Sequence, residues 1–264
     1  MDSVERNWNL FCEHYLRDWR GVWTRYSPQG EVIESFKSVR NLRGNADLTE
    51  IVQSNRYVHD DGRIEEKDWS FSKTTGNLPD GLYHPRAPSM RCFFFGQGSA
   101  VWVDKTLVEG QGLPMELFLK NGSSRQSVCV FYNGDGTLRM LSSIREHADV
   151  EPDRFTMTEL GRAPSRPFGD DFRGTSMTIR PDLTTSPETP AQLGWGWEGN
   201  EEFFFRNGVS LSCPPVVKVG APFVIAANWL SSPSTLHQIA VMYDATGAFS
   251  GATLELLRQE AATS

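Results

Sequence analysis

Four polar side chains on two neighbouring predicted strands are the best candidates for binding chemistry in this 264-residue chain. Gln53, Asn55 and Tyr57 alternate along one strand-like run, so they share one face of that strand. Arg40 ends the strand-like run that precedes them. Amides, a phenol and a guanidinium that converge inside a barrel can orient the carboxylate or carbonyl group of a small molecule. The alternative interpretation is a structural hydrogen-bond network or a polar outer face.

A second candidate group is acidic. Glu66 and Asp68 lie on one face of the next predicted strand, and paired carboxylates can act as acid and base. More often such a pair belongs to a solvated strand edge. An isomerase or cyclase that acts on a hydrophobic substrate would use Arg40, Asn55, Tyr57 and Glu66.

The sequence lacks the usual signatures of metal binding and of nucleophilic catalysis. The five histidines are dispersed, none at metal-ligand spacing and none beside a plausible nucleophile. The cysteines form no Cys-x-x-Cys pair, so we expect four buried, reduced thiols. They are Cys12, Cys92, Cys129 and Cys213. No metal and no cofactor is predicted.

The overall charge and the apolar pattern exclude several classes of protein. A net charge of −7 and a pI near 5.3 disfavour a nucleic-acid partner. No apolar run approaches the length of a membrane helix, so no transmembrane segment is predicted. The first residues, MDSVERNW, contain acids and no apolar core, which argues against a signal peptide and a transit peptide. The expected location is the cytoplasm, or the plastid stroma if a transit peptide has been removed.

The pattern of apolar residues predicts one helix followed by many strands. Trp8, Phe11, Cys12, Tyr15 and Trp19 recur at spacings of three and four, which is typical of an amphipathic helix. Short strand-like runs separated by Gly, Asp and Pro turns follow, which indicates a sandwich or an up-and-down barrel. The predicted strands are Val22–Tyr26, Val32–Arg40, Glu50–Val58, Arg63–Phe71, Met90–Phe95 and Ala100–Val103.

Landmarks that recur in the same order predict two related halves. They are the segments Asp18–Gly21 and Asp171–Gly174, the turns Gly81 and Gly208 at equal distances before Trp102 and Trp229, and the segments Val130–Tyr132 and Val241–Tyr243. A polar stretch near residues 150–168 marks the boundary, with Asp149, Glu151, Pro152, Pro164 and Pro167. The predicted domains are residues 1–150 and 165–264. Each half also has a triple-Phe run, Phe93–Phe95 and Phe203–Phe205, of which one side can fill a barrel and the other can pack on the sister barrel.

Gly21-Val22-Trp23 follows the predicted helix at the start of the first strand. A Gly-x-Trp in this place is the hallmark of lipocalins and their calycin relatives. The glycine allows a tight turn into the strand, and the tryptophan plugs the end of the barrel. The second copy reads Gly174-Thr175-Ser176 and has no such tryptophan.

The whole chain resembles a cyanobacterial and plastid family of uncharacterised proteins with two fused lipocalin-like barrels. The residues that carry the resemblance are Gly21-Val22-Trp23, Tyr26, Gly30, Phe36, Arg40, Gln53, Asn55, Tyr57, the segments Glu65–Trp69 and Pro79–Gly81, Arg173–Thr175, Trp195, Trp197, Asn228–Leu230, Tyr243, Asp244 and Gly247. The resemblance implies a mostly β fold with two antiparallel barrels and a short N-terminal helix. One plastid relative is an assembly factor for the chloroplast ATP synthase. Other calycin relatives bind bilins, carotenoids or fatty-acid derivatives.

The sequence therefore predicts a non-catalytic binding protein, and the enzyme described above remains the alternative. It would hold an apolar small molecule of the pigment or lipid type, or a protein partner during assembly of a photosynthetic or ATP synthase complex. The predicted ligand-binding residues are Arg40, Gln53, Asn55, Tyr57, Glu66, Trp69 and Trp102. The predicted structural residues are Gly21, Trp23, Gly174 and Trp229. The first half, with the helix and the Gly-x-Trp, is the predicted ligand site.

Overall fold

The computed structural model describes residues 2–148, 150, 165–166 and 168–259. Over these residues the chain is mostly β, with an N-terminal helix followed by two antiparallel sheets, which confirms the expected fold class. The predicted boundary residues Asp149, Glu151, Pro152, Pro164 and Pro167 lie outside the described residues. Within the described part of the chain, no helix has the length and apolar character needed to cross a membrane.

The first sheet has eleven strands in the order β4-β3-β2-β1-β11-β10-β9-β8-β7-β6-β5 and curls into a nearly closed barrel. The strands are β1 (Asp18–Tyr26), β2 (Val32–Gly44), β3 (Glu50–His59), β4 (Ile64–Ser72), β5 (Asn77–Leu78), β6 (Gly81–His84), β7 (Ala87–Phe94), β8 (Ala100–Asp104), β9 (Leu113–Asn121), β10 (Ser124–Tyr132) and β11 (Leu138–Ala148). The end strands β4 and β5 are linked by the short helix α2 (Lys73–Gly76), which spans the gap.

The second sheet has seven strands in the order β13-β12-β18-β17-β16-β15-β14. The strands are β12 (Phe172–Ile179), β13 (Thr189–Gln192), β14 (Glu201–Phe204), β15 (Val209–Cys213), β16 (Phe223–Ser232), β17 (Thr235–Tyr243) and β18 (Phe249–Gln259). Its consecutive strands from β14 to β18 form a meander like that of β7 to β11 in the first sheet.

Helix α1 (Ser3–Tyr15) is shorter than the predicted apolar pattern. Trp8, Phe11, Cys12 and Tyr15 form its buried face, as expected from their spacing. Trp19 was wrongly assigned to this helix, since it lies in β1. Its indole Nε1 donates to the Tyr15 carbonyl oxygen at 3.2 Å, so the ring still packs against the end of the helix.

The largest apolar core lies between the two sheets. Side chains on the outer face of β8–β11 pack there against side chains of β14–β18. The triple-Phe run of the first half divides as predicted. Phe93 and Phe95 belong to this intersheet core, whereas Phe94 packs inside the first barrel. The four cysteines are all buried and free, as expected from the sequence.

The two halves make reciprocal contacts across this core. The hydroxyl of Tyr132 donates to the Pro214 carbonyl oxygen at 2.8 Å, and the hydroxyl of Tyr243 donates to the Asp104 carbonyl oxygen at 2.6 Å. Tyr132 ends β10 and Tyr243 ends β17, while Asp104 ends β8 and Pro214 follows β15. Such exchanged pairs are characteristic of an isologous, two-fold interface. The two sheets therefore face each other across this core, and the duplication stays a prediction.

The glycines Gly21 and Gly174 occupy equivalent positions. Gly21 pairs with Glu146 of β11, and Gly174 pairs with Leu257 of β18. A Cβ on Gly21 would lie 2.0 Å from the Arg145 carbonyl oxygen, and one on Gly174 would lie 1.9 Å from the Leu256 carbonyl oxygen. The expected turn at Gly21 is wrong, because the residue lies inside β1. Glycine is needed there for the close approach of the neighbouring strand.

The predicted equivalence of Trp102 and Trp229 is also wrong. Trp102 lies in β8 and pairs with Glu116, whereas Trp229 lies in β16 and pairs with Val209. The register instead places Ser212 at the position of Trp102, because Ser212 pairs with Ala226 as Trp102 pairs with Glu116. The equal spacing from Gly81 and Gly208 was a coincidence, since Gly81 begins β6 and Gly208 lies between β14 and β15.

Candidate functional site

A cavity of about 160 Å³ lies inside the first barrel. Its wall is mainly aromatic, with rings from α1 and from strands on several sides of the barrel. The aromatic lining residues are Phe11, Tyr15, Trp23, Tyr57, Trp69, Phe71, Phe94, Trp102 and Phe118, and the others are Arg40, Leu42, Gln53, His84, Met90, Glu116 and Arg125. Aromatic walls with a few polar groups are typical of small-molecule sites.

Helix α1 closes one side of the cavity and is fixed in place by hydrogen bonds. The Asn7 amide donates to the Cys92 carbonyl oxygen at 3.2 Å and accepts from the Phe94 N–H at 3.0 Å. The Tyr15 hydroxyl donates to the Gly98 carbonyl oxygen at 3.0 Å. The helix therefore presents the rings of Phe11 and Tyr15 to the cavity from a rigid position.

Three buried charges form an ion cluster beside these rings. The two oxygens of Glu146 accept from two different guanidinium groups. The Arg40 Nε–Oε1 distance is 2.6 Å, and the Arg125 Nε–Oε2 distance is 2.5 Å. The side chains of Glu146, Arg125 and Arg40 are 0%, 2% and 8% exposed, so solvent hardly screens the cluster.

The two arginines keep the Glu146 carboxylate ionised. Burial alone would raise the pKa of Glu146, but the charges and hydrogen bonds of Arg125 and Arg40 outweigh it and hold the pKa below its ordinary value. The cluster thus contains two positive charges and one negative charge. Within the described part of the chain, Nη2 of Arg40 is buried and has no hydrogen-bond partner.

Aromatic rings surround both guanidinium groups. Arg125 lies 4.1 Å from the ring centroid of Trp19 and 5.3 Å from that of Phe118. Arg40 lies 4.9 Å from the ring centroid of Trp23. Cation–π contacts of this kind stabilise a desolvated cation and fix the plane of its guanidinium group.

A second carboxyl group, that of Glu116, lines the cavity from β9. Its Oε1 accepts from the Ser127 hydroxyl at 2.8 Å. Burial raises the pKa of Glu116, while the charge of Arg40 and the Ser127 hydrogen bond act in the opposite direction. Glu116 on the cavity wall is thus more easily protonated than an exposed glutamate, whereas the pKa of Glu146 is shifted in the opposite direction.

The polar row predicted on β3 faces the barrel interior. Gln53, Asn55 and Tyr57 are all buried on the same face of the strand. Gln53 Nε2 donates to Asn55 Oδ1 at 2.9 Å, and Asn55 Nδ2 donates to the Lys67 carbonyl oxygen at 3.2 Å. Gln53 and Tyr57 line the cavity, whereas Asn55 supports Gln53 from outside the lining set.

Two rings meet where the end strands of the barrel fail to pair. Trp69 of β4 and His84 of β6 are half-buried, with ring centroids 5.4 Å apart. His84 also packs edge-on against Trp102 at 4.9 Å. Burial lowers the pKa of His84 to about 4, assisted by the charge of Arg86, so the ring is neutral at physiological pH.

Most of the predicted ligand-binding residues converge, but Glu66 does not. Arg40, Gln53, Tyr57, Trp69 and Trp102 all line the cavity, and Asn55 lies behind Gln53. Glu66 and Asp68 lie on the opposite face of β4 from Trp69, and the Glu66 side chain is 69% exposed. Glu66 Oε1 lies 3.8 Å from Arg56 Nε on that outer surface, so Glu66 lies outside this cavity.

The predicted structural residues divide between the two cores. Trp23 lines the cavity and stacks on Phe36, with ring centroids 5.7 Å apart. Trp229 belongs to the intersheet core and packs on His237 at 5.7 Å.

Sequence reasoning missed the residues that give the site its charge. Arg125, Glu146 and Glu116 lie on β10, β11 and β9, and no regular spacing in the sequence marks these three residues as neighbours. The one available signal was the glycine opposite Glu146. Because Gly21 has no side chain, the interior position beside it is open to a long polar residue from β11.

The comparisons with known proteins identify a family and a fold. The model of a domain of unknown function, the N-terminal domain of DUF3598, matches residues 4–151. No curated protein matches the chain in sequence.

Two solved structures with similar folds share little sequence with this chain. A DUF3598 protein of unknown function from Nostoc punctiforme superposes with a TM-score of 0.73 at 16% identity, covering 97% of this chain and 99% of its own. An S-type phycobiliprotein lyase from Guillardia theta gives a TM-score of 0.39 at 11% identity, covering 56% of this chain and 96% of its own.

Proposed function

The chain belongs to the DUF3598 family, and from that premise we propose that it is a binding protein that holds an apolar small molecule in the first barrel. The observation that supports this function is the cavity of about 160 Å³, walled by nine aromatic rings and fixed by a hydrogen-bonded helix. A solid structural core would not leave such a space, because protein interiors are packed to near-crystalline density.

The size of the cavity limits what it can enclose. An apolar cavity of roughly 150 Å³ accommodates a molecule of the size of benzene, whereas drug-sized ligands occupy pockets of roughly 300 Å³ or more. A ligand of the lipid or pigment type would thus bury one end here. The remainder would leave past Trp69 and His84, on the side of the barrel where the end strands β4 and β5 are not paired with each other in the described structure.

The tryptophans provide an internal test of this function. The indole N–H groups of Trp23, Trp69 and Trp102 report on the cavity, and those of Trp195 and Trp229 report on the second half. Titration with a series of primary alcohols from butanol to dodecanol should shift the first set in ¹H–¹⁵N NMR spectra and leave the second set unchanged. The affinity should rise with chain length by about 0.8 kcal/mol per buried methylene until the cavity is filled.

Two variants complete the experiment. Trp102→Phe should change the affinity for the alcohols, and the matched Trp229→Phe should not, because only Trp102 lines the cavity. Uniform shifts across both halves, or no saturable binding, would refute the proposal. Chemical conversion of an unsaturated alcohol on prolonged incubation would instead favour the enzyme alternative, with Glu116 as the proton donor in place of Glu66.

A further inference from the structure

The charges around the cavity do not balance within the ion cluster. Arg40 and Arg125 share the single carboxylate of Glu146, and each oxygen of that carboxylate is already engaged. A buried cation without a full counter-charge is costly, and it is normally compensated by a partner or a ligand. The excess positive charge of the cluster lies at the wall of the cavity, since both arginines line it; Glu116, whose burial favours its protonated form, lines the same wall.

One nitrogen of this cluster is open to a ligand. Nη2 of Arg40 is buried and has no hydrogen-bond partner among the described residues. Its neighbours Nε and the guanidinium face are taken by Glu146 and by the Trp23 ring. The N–H groups of Nη2 can therefore donate to an acceptor on a molecule held in the cavity that Arg40 lines.

We propose that the ligand is a monoanionic carboxylic acid, whose carboxylate binds Arg40 while its apolar part lies among the rings of the cavity. This inference rests on the proposed binding function and specifies its ligand class. A carboxylate supplies one negative charge and an acceptor for Nη2, and the guanidinium fork matches its geometry.

A neutral carbonyl or hydroxyl group meets only half of this requirement. It would accept a hydrogen bond from Nη2 but would leave the second positive charge of the cluster uncompensated. A dianion such as a phosphate monoester would exceed the single charge available, with Glu146 ionised beside it. The charge count thus favours a single carboxylate.

Gln53 and Tyr57 provide the rest of the polar environment. Both line the cavity, and Tyr57 keeps its proton because burial raises the pKa of its hydroxyl. A protonated phenol and an amide N–H can donate to the second carboxylate oxygen. Glu116 acts against binding of a carboxylate, since an ionised Glu116 would repel the incoming anion.

The test compares an acid with its isosteric neutral analogues. The probes are 3-phenylpropanoate, 3-phenylpropan-1-ol and 3-phenylpropanamide, each of which has one ring and a short arm suited to the cavity. Calorimetric titration of the full chain should show the acid binding at least about tenfold more tightly than the alcohol and the amide, as expected for a hydrogen bond to a charged group.

Three variants locate the effect. Arg40→Gln should abolish the preference for the acid, because loss of the positive charge weakens the binding of the acid far more than that of the alcohol. The matched control Arg43→Gln lies on the same strand, but its side chain is 60% exposed, so the preference should persist. Glu116→Gln keeps both arginines and removes the repelling carboxyl, and it should strengthen the binding of the acid. The Glu116→Gln variant also tests the proposal if Arg40→Gln does not fold.

The outcomes separate the two proposals. Equal binding of the acid and the alcohol, or a Glu116→Gln variant that binds the acid no better than the alcohol, overturns the carboxylate assignment and leaves the binding function in place. If neither probe nor any alcohol of the earlier series binds, the binding function itself fails.

Discussion

The inner faces of the two sheets have the same strand register but opposite chemistry. Arg125 pairs with Glu146 in the first half, and Leu236 pairs with Leu257 at the equivalent position of the second. Trp19, which lies beside Arg40, corresponds to Phe172, which lies beside Leu193. The three charged residues of the first half thus have three leucines as counterparts, and those leucines form a buried apolar cluster with Phe172.

The second half shows that this fold does not need charges at these positions. Well-packed apolar residues stabilise a protein as well as a buried ion cluster does, and often better, because charges must first be desolvated. The second half has the arrangement expected if packing alone decides the sequence. The proposed binding function would account for Arg40, Arg125 and Glu146 in the first half.

Removal of the shared carboxylate should give the largest loss of stability. Glu146→Gln leaves two buried guanidinium groups without their counter-charge, which typically costs about 3–5 kcal/mol. Leu257→Gln, at the equivalent position, buries one neutral amide and should cost less, about 1–3 kcal/mol. Urea unfolding measures both, with the exposed Glu66→Gln as a control expected within about 0.5 kcal/mol of the parent. Equal losses at positions 146 and 257 would contradict the contrast between the halves.

Acid should destabilise both halves through one histidine in each. Burial lowers the pKa of His84 and of His237 to about 4. Because the unfolded chain binds these protons near pH 6.5, the free energy of unfolding should fall as the pH drops from 6.5 towards 4, by at most about 1.4 kcal/mol per pH unit for each histidine.

Single and double variants assign this pH dependence. His84→Phe and His237→Phe should each flatten the stability curve in this range, and together they should flatten it additively, since the two rings lie in different cores. Unfolding monitored at several pH values by circular dichroism measures the slopes. An unchanged slope in either variant would show that the corresponding histidine is protonated equally in the folded and unfolded chains.

Conversion of the first half to the apolar pattern of the second should cause the smallest loss of stability among these changes. The triple variant Arg40→Leu, Arg125→Leu, Glu146→Leu replaces each charge with the residue of the second half. We expect no loss of stability, or a gain of about 1–4 kcal/mol. The preference for 3-phenylpropanoate should disappear in calorimetric titration. A folded variant that retains the preference, or one that loses several kcal/mol, would show that the charges serve another purpose.

Local patterns were sufficient to predict the strands and the amphipathic helix. The alternation of Gln53, Asn55 and Tyr57 also predicted their common face, because side-chain direction along a strand depends only on its period of two. The period of two could not decide which face of each strand points into the barrel. Glu66 and Trp69 belong to one strand, yet only Trp69 reaches the cavity.

The repeat was visible in sequence, but its exact alignment was not. Gly21 and Gly174 matched correctly because both have the same strand contact, which excludes any side chain. Trp102 and Trp229 matched only in spacing, and pairing across strands shows that they are unrelated.

The sequence by itself determined the mostly β character, the N-terminal helix and the aromatic character of the core, since these depend on local periodicity and composition. The tertiary structure alone decided the site. Arg40, Arg125 and Glu146 come from three strands that are far apart in the chain, and only the sheet order β2-β1-β11-β10 brings them together. Charge balance is a property of three-dimensional neighbours, so the unpaired nitrogen of Arg40 could not be recognised before those neighbours were known.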